Sequence, residues 1–375
     1  MTRARIDAAL RLAAAGRGGT VAAPRRLRIR QTVAVGDPQA PFATFLGILD
    51  HHGALDDDGM VRPEVGLISM GDHFDWGDPG DRVAAAADGE LLLTWLALHP
   101  PEQVCILIGN HDLARVGELW DLSDHEFATA LRAADDVREH GASEDAFKRA
   151  WPRFFSAEQV ARDLSTFRAS QRALVEALLR ARRFKAACAL EGALFVHAGV
   201  TRYELAQLGL REDATAEAIA AALDAALDAA CAQLGQAPLS LGQLHVPGTG
   251  AYEGRGMFYH RPTLDAGRLT GERPWRRFDP RELPPGLTQV VGHVRDAKCV
   301  SELQRWSAVP AARDGPVRHL IVEGDRGRYA HGAPPATGRH AAVMVFVDNG
   351  MGKIAHPAEY RLLDAGRRTV AEPLV

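Results

Sequence analysis

Short, continuous runs of apolar residues recur along the chain, and each ends abruptly at a glycine, an acidic residue, an asparagine or a histidine. Runs of this length without polar–apolar alternation are typical of strands buried on both faces in a layered α/β sheet. Six of them stand at residues 32–35, 66–70, 104–108, 193–196, 288–291 and 343–347. Because α/β proteins place ligands at the carboxyl edge of the sheet, the polar residues after these runs are candidate site residues.

The pattern changes between the third and fourth runs. Residues from about 113 to 190 have helical periodicity and many Ala, Arg, Glu and Leu residues, which predicts a helical insert. Residues 247–286 mix Gly, Pro, Arg and aromatic residues without a period, which predicts a long loop. Within it, residues 252–277 either bind a nucleotide or form irregular surface. Residues 1–30 predict a short exposed helix and a linker, so that 31–375 would form a single domain.

Composition and charge narrow the functional classes. The chain has 375 residues, of which 46% are hydrophobic, and this is enough to bury a sizeable core. A net charge of -4 removes the main electrostatic reason to expect a nucleic-acid partner. The four cysteines form no CxxC pair, which indicates reduced core residues. No apolar run approaches the roughly 18 residues of a membrane span, so we expect a cytoplasmic protein.

The residues that follow the apolar runs supply carboxylate, amide and imidazole groups. This mixture suits a pair of borderline divalent cations such as Mn, Fe or Zn, whereas a site for a hard ion would use mostly oxygens. Two such cations can activate a water and hold phosphoryl oxygens during in-line attack, which predicts phosphate-ester hydrolysis. In chain order the segments are Gly36-Asp37-Pro38-Gln39, Gly71-Asp72-His73-Phe74-Asp75, Gly109-Asn110-His111-Asp112, His197-Ala198-Gly199 and Gly292-His293.

This ordered set resembles the signature of calcineurin-like metallophosphoesterases, which runs GDxH, GDxxD, GNH[DE], H and GH. The resemblance covers about residues 33–351 and is closest to the branch of phosphoprotein phosphatases and symmetrical dinucleoside tetraphosphatases. Residues 195–199 are similar to the HGG or HAG segment of that branch, and residues 290–293 to its GHT segment. Residues 348–350 fall where that branch carries a D-[TN]-G run. The resemblance implies an α/β fold of two packed mixed β-sheets flanked by helices, with the insert as a cap.

The resemblance also implies roles for the motif residues. Asp37 would bind the first metal with help from Gln39, and Asp72 would bridge both metals. The second metal would be held by Asn110, His197 and His293.

His111 would be the general acid, oriented by Asp75. A carboxylate partner holds an imidazole in one orientation and favours its protonated form. Asp112 would lie behind the ligands or cap a helix, and His73 would be exposed beside the site.

The sequence departs from the family pattern at three places. Gln39 replaces the usual histidine, which predicts a weaker first metal site and also resembles a minority branch acting on ADP-ribose and related nucleotides. Arg295 stands where many phosphodiesterases carry a second histidine. Trp76 and Ile108 occupy the positions of the two arginines with which protein phosphatases grip phosphate, so another cation must neutralise the substrate.

Arginine suits that role because it binds phosphate oxygens bidentately. We take Arg295 and Arg82 as the substrate-binding residues, from a wider group that also includes Arg115, Arg255 and Arg261.

Together these patterns predict a metal-dependent phosphoesterase with a binuclear centre of Mn or Fe, for which Zn would also serve. A bridging hydroxide would hydrolyse a phosphate ester, with a small phosphorylated molecule or a nucleotide as the expected substrate. Two alternatives stay open: an enzyme like the Ser/Thr protein phosphatases, and a catalytically weakened binding protein with the same fold.

Overall fold

A computed structural model describes residues 2–16, 25–269 and 271–372 of the protein. Within these residues none of the helices has both the length and the apolar character needed to cross a membrane. The α-helices are α1 (Thr2–Gly16), α2 (Phe42–His51), α3 (Arg82–Ala97), α4 (Asn110–Ala114), α5 (Asp124–His140), α6 (Glu144–Ala150), α7 (Ala169–Arg180), α8 (Arg202–Gln207), α9 (Ala216–Cys231) and α10 (Asp296–Leu303).

The β-strands of the described residues are mostly short. They are β1 (Gln31–Val35), β2 (Val65–Ser69), β3 (Val104–Leu107), β4 (Phe184–Lys185), β5 (Ala187–Leu190), β6 (Ala193–Val196), β7 (His245–Val246), β8 (Arg255–Gly256), β9 (Arg261–Pro262), β10 (Arg277–Phe278), β11 (Thr288–Val291), β12 (Arg318–Glu323), β13 (Arg326–His331), β14 (Ala342–Phe346), β15 (Leu363–Asp364) and β16 (Thr369–Val370). All six strands predicted from the apolar runs are confirmed by β1, β2, β3, β6, β11 and β14.

Two mixed sheets of six strands each dominate the fold. The first has the order β16-β15-β1-β2-β3-β4, with parallel pairing from β1 to β4 and antiparallel pairing at β15 and β16. The second has the order β13-β12-β14-β11-β6-β5, with β14, β11 and β6 parallel and the outer pairs antiparallel. The protein is therefore an α/β protein with mixed sheets flanked by helices.

The two sheets share an apolar core. Ile68 and Leu107 of the first sheet belong to the same buried cluster as Phe195, Val290 and Val345 of the second. Both β2 and β14 are buried at every position, as continuous apolar runs predict. The larger apolar cluster lies between the sheets and the surrounding helices. This double burial fixes the ends of the parallel strands, where the candidate site lies.

The N-terminal helix packs onto the domain, so the expectation of an exposed helix is wrong. The side chains of Ala9 and Ala13 are fully buried, and α1 contacts α2 and α3. A Cβ atom on Gly59 would lie 2.3 Å from the backbone nitrogen of Ala9. Small residues on both sides therefore permit the close approach. Residues 17–24 of the predicted linker lie outside the described residues.

The helical insert is shorter than predicted. Its last helix, α7, ends at Arg180, and residues 184–190 form β4 and β5 instead. Phe184 and Ala187 are buried in this stretch, so pairing with β3 and β6 overrides the helical preference of an alanine-rich sequence. The insert has an apolar core of its own, built around Phe127, Phe154 and Phe167.

The segment 247–286 has little regular structure but is largely packed. It holds the short strands β8, β9 and β10, of which β9 and β10 pair in parallel. The short 3-10 turn Met257–Tyr259 is buried, with at most 5% of each residue exposed. This part of the predicted loop is therefore not irregular surface, and Arg261 lies two residues after it.

Candidate metal centre

The carboxyl ends of the parallel strands of both sheets meet at one edge, where four predicted ligands converge. Asp37 and Asp72 follow β1 and β2, while His197 and His293 follow β6 and β11. One ligand atom from each of the four side chains lies within 4.8 Å of the others. Three of the four are fully buried and His293 is partly buried. Converging carboxylates and imidazoles of this kind can hold a transition-metal ion.

Three residues of this edge have left-handed backbone conformations. The φ angles are 59° at Asp72, 63° at Asp75 and 58° at His293. Side chains other than glycine rarely adopt such angles, and they persist where surrounding contacts hold them. At His293 the backbone nitrogen donates to both oxygens of Asp37 at 3.0 Å. The strained backbone therefore links two candidate ligands from different sheets.

At two of the glycines that precede candidate ligands, a carboxylate of the site approaches the backbone. A Cβ atom on Gly292 would lie 2.1 Å from Oδ1 of Asp37. A Cβ atom on Gly109 would lie 2.2 Å from Oδ1 of Asp72. Any side chain at either position would displace a carboxylate of the site, which explains the glycines of the GNHD and GH segments.

Asp112 ties the ends of β2 and β3 together. Its buried carboxylate accepts hydrogen bonds from the backbone nitrogens of Gly109 at 2.8 Å, Asp72 at 3.1 Å and His73 at 3.1 Å. It also accepts one from Nδ1 of His73 at 3.0 Å, while Nε2 of His73 lies 2.9 Å from the Ser69 hydroxyl. His73 is thus buried, and the expectation that it is exposed is wrong because both ring nitrogens have partners.

The pKa values of the two carboxylates in the cluster are shifted in opposite directions. Burial raises the pKa of Asp37 well above its usual range, and the nearby Asp348 carboxylate raises it further. Burial also disfavours the charged form of Asp72, but the imidazoles of His197 and His111 outweigh it and lower that pKa. Because buried carboxylates this close repel one another, a bound cation would stabilise the cluster.

The histidines are oriented as metal ligands would be. Nδ1 of His197 donates to the carbonyl oxygen of Met70 at 2.7 Å, and its Nε2 lies 3.1 Å from the Asn110 side-chain oxygen and 3.4 Å from Asp72. A hydrogen bond on the far ring nitrogen is the usual support of a metal-binding imidazole. Nε2 of His293 is buried and has no hydrogen-bond partner among the described residues. Such an atom is costly to leave unpaired, so the donor set fits a metal ion.

His111 lies at the edge of the cluster and is held by Asp75. Nδ1 of His111 is 2.9 Å from Asp75, and Nε2 is 3.8 Å from Asp72. Asp75 is itself fixed by Arg115 at 2.6 Å and by the backbone nitrogen and hydroxyl of Thr166 at 3.0 and 2.7 Å. Burial alone would lower the pKa of His111, but Asp72 and Asp75 raise it to about 9. The two carboxylates therefore favour the protonated form of the imidazole.

The two arginines predicted to bind substrate, Arg82 and Arg295, are placed differently from the expectation. Arg82 does not line the cavity above the cluster; its guanidinium pairs with Asp135 at 2.6 Å and donates to the Ala161 carbonyl at 2.7 Å. It fastens α3 to the insert and is not placed to contact a substrate in that cavity. Arg295 lies on the cavity rim but is paired with Asp314 at 2.9 Å.

Two further residues face the cavity. Arg261 lines it and has neither a hydrogen bond nor an ion pair for its side chain among the described residues. Burial lowers the pKa of Arg261, and the charge of Arg276 lowers it further. Asp348 follows β14 and is buried beside Asp37. Asp348 was not among the ligands predicted from the sequence, although the same signal, a polar residue after an apolar run, marks it.

We name this space the first cavity. It has a volume of about 360 Å³, with Asp37, Asp72 and His293 at its base. Gln39 lines it too, and its side-chain nitrogen donates to the Phe74 carbonyl at 3.3 Å.

The sequence matches no protein-family model and shows no significant match to a curated protein.

Proposed function

We propose that this chain is a metal-dependent phosphoesterase with the fold of the calcineurin-like metallophosphoesterases. The observation that carries the proposal is the convergence of Asp37, Asp72, His197 and His293 within 4.8 Å of one another, beside a histidine that a carboxylate orients. Acid–base side chains next to a metal-type donor set are suited to hydrolysis of phosphate esters.

The residues present fit two divalent cations, preferably Mn or Fe, with Zn also suitable. Asp37, Gln39 and Asp72 would hold one ion, and Asp72, Asn110, His197 and His293 the other. When bound, the two cations would lower the pKa of a water molecule and neutralise charge on the phosphate oxygens. The unpartnered Nε2 of His293 and the fixed ring of His197 support this assignment.

His111 would act as the general acid. Its Nδ1 proton is engaged by Asp75, so the Nε2 proton is the one available to the oxygen of the leaving group. The carboxylate of Asp75 favours the protonated imidazole, which is then suited to donate that proton.

Arg261 would bind the oxygens of the phosphate that do not react. It is the cavity arginine without a partner among the described residues, whereas Arg295 is already paired. A guanidinium grips two phosphate oxygens at once. It would compensate for the arginines absent at Trp76 and Ile108.

The test combines metal content with turnover. We expect two metals per chain by mass spectrometry and a rise in melting temperature when Mn is added, because a ligand of the folded state stabilises it. Turnover of p-nitrophenyl phosphate or bis-p-nitrophenyl phosphate should appear with Mn and vanish in Asp72→Asn and His111→Ala. His125→Ala, at an exposed histidine of α5, is the matched control.

Retained turnover in both site variants would contradict the proposal. One metal or none, without turnover, would favour the binding-protein alternative. A preference for phosphopeptides over nucleotides would favour the protein-phosphatase alternative.

A further inference from the structure

A second cavity adjoins the first on the side of His111. It has a volume of about 260 Å³ and lies between the insert and the segment 253–277. Both cavities are lined by His111, Arg162, Asp163 and Arg261. Because the general acid protonates the leaving oxygen, a substrate whose phosphorus lies in the first cavity would extend its leaving group past His111 into the second.

Two arginines face each other in the wall of the second cavity. Arg261 of β9 and Arg277 of β10 are direct neighbours across the parallel ladder, and both line this cavity. Like charges placed opposite one another on adjacent strands destabilise the pair. The Nε atoms of both are buried and have no hydrogen-bond partner among the described residues.

Neither arginine has a carboxylate within hydrogen-bond distance among the described residues. Arg261 has no ion pair among the described residues, and Arg277 has only a contact of 3.6 Å with Glu302. That carboxylate already accepts a hydrogen bond from Arg268 at 2.6 Å and another from the Thr263 hydroxyl at 2.7 Å. The pair therefore keeps capacity for another anion.

The other basic residues of the second cavity are already paired. Arg276 pairs with Glu253 and lies over the Tyr259 ring at 5.3 Å. Arg162 pairs with Glu158 and with Asp163.

Glu118 is the remaining acid of the cavity wall. It accepts hydrogen bonds from the backbone nitrogen of Gly248 at 2.7 Å and the Tyr259 hydroxyl at 3.1 Å. Burial raises the pKa of Glu118, which biases it toward the neutral form. Among the described residues that line the second cavity, Arg261 and Arg277 are thus the basic side chains without a close partner.

We propose that the second cavity binds a phosphate group carried by the leaving group, with Arg277 as its main contact and Arg261 shared between the two phosphates. This inference rests on the proposed function and names a substrate class: small molecules that carry two phosphate groups. A sugar bisphosphate and a nucleoside diphosphate both present this chemistry.

The test compares kcat/KM for matched pairs in the Mn-loaded protein. Glucose 1,6-bisphosphate is paired with glucose 6-phosphate, and ADP with AMP, so the two arms distinguish the sources of the second phosphate. A charged hydrogen bond contributes about 1.5–3 kcal/mol, so we expect a preference of about tenfold or more for the doubly phosphorylated member of at least one pair. Arg277→Met should reduce the preference to about twofold or less. The control Arg281→Met, at an exposed arginine paired with Asp279, should retain it.

A preference near one in the wild type, or an unchanged preference in Arg277→Met, would overturn the inference. Arg277→Gln serves as a second variant if the first fails to fold. Calorimetric titration of the metal-free protein with methylenediphosphonate separates this inference from the proposed function. Turnover of monophosphates without a preference would leave the function standing and refute the second site. If there is no turnover but diphosphonate binds and its binding weakens about tenfold in the Arg277 variants, the second site stands and the proposed function is refuted. If there is neither turnover nor diphosphonate binding, both proposals are refuted.

Discussion

The Nδ1 atom of His111 donates a hydrogen bond of 2.9 Å to Oδ2 of Asp75, while Thr166 donates to the other oxygen of that carboxylate. Asp75 comes from the loop after β2 and His111 from the start of α4, so the bond joins the ends of two adjacent strands. The ring can therefore not rotate freely, and its Nε2 remains next to Asp72. Asp75, which orients the proposed acid, is thus a different residue from the predicted metal ligands.

Replacement of Asp75 by Asn should reduce turnover without removing metal. The neutral amide would hold the imidazolium less well, so the loss should approach the roughly 10²–10⁴-fold contribution of a general acid. The loss should be larger for phenyl phosphate than for p-nitrophenyl phosphate, whose leaving oxygen needs less protonation. Kinetics on both esters, with metal content by mass spectrometry, check this. An equal loss on the two esters would show that Asp75 does not act through the acid.

Replacement of Asp112 by Asn should destabilise the fold. The carboxylate accepts hydrogen bonds from three backbone nitrogens and from His73, and an amide has one oxygen to replace two. Each buried donor left unpaired costs about 1–3 kcal/mol, so the free energy of unfolding should fall by about 2–4 kcal/mol. Urea denaturation measures it. The exposed residue Asp136, on α5, is the control, and its Asn variant should change stability by less than about 0.5 kcal/mol. A loss equal to that of the control would refute the bracing role.

The strand ends were predictable because the residues that mark a buried strand are consecutive in the sequence. A continuous apolar run followed by Gly-Asp, Gly-Asn or Gly-His encodes both the strand and the close approach at its end, as Gly109 and Gly292 show. The convergence of Asp37, Asp72, His197 and His293 then follows from parallel pairing, which brings carboxyl ends to one edge.

The rest depends on partners far away in sequence. Arg82 and Arg261 are alike as residue types, and only tertiary contacts give the first an ion pair with Asp135 and leave the second without one among the described residues. The strand from Ala187 to Leu190 likewise has a sequence that favours a helix, and its pairing with β6 decides the outcome.

Acidification should lower the free energy of unfolding, because His99 is buried and binds a proton less readily in the folded state than in the unfolded state. Its Nδ1 lies 2.9 Å from the Trp95 carbonyl and its Nε2 accepts from the Val61 nitrogen at 3.0 Å, so the buried ring is neutral. Burial lowers its pKa to about 4. The unfolded chain, with a pKa of about 6.5, binds the proton more readily. The contribution is therefore complete above pH 6.5 and is lost as the pH falls toward 4, a change of about 3 kcal/mol.

Urea denaturation of the wild type and of His99→Gln at pH 7 and pH 4 isolates this group. The stability difference between the two proteins should shrink by about 3 kcal/mol at the lower pH. His125→Gln, on the surface of α5, should track the wild type at both values. A difference that does not depend on pH would mean that His99 does not titrate in this range.

Arg261→Met should impair substrate binding and Arg82→Met should impair stability, although both variants remove one guanidinium. Loss of Arg261 removes the arginine of the first cavity that has no partner among the described residues. It should raise KM for a phosphate monoester about 10- to 100-fold, the range for a charged hydrogen bond. Loss of Arg82 leaves Asp135 without its partner and frees the insert, so it should lower the free energy of unfolding by about 1–3 kcal/mol with KM within about twofold. Steady-state kinetics and urea denaturation on both variants decide the matter. If Arg82→Met raised KM and Arg261→Met did not, the phosphate would contact the insert side of α3, and the assignment of Arg261 would be wrong.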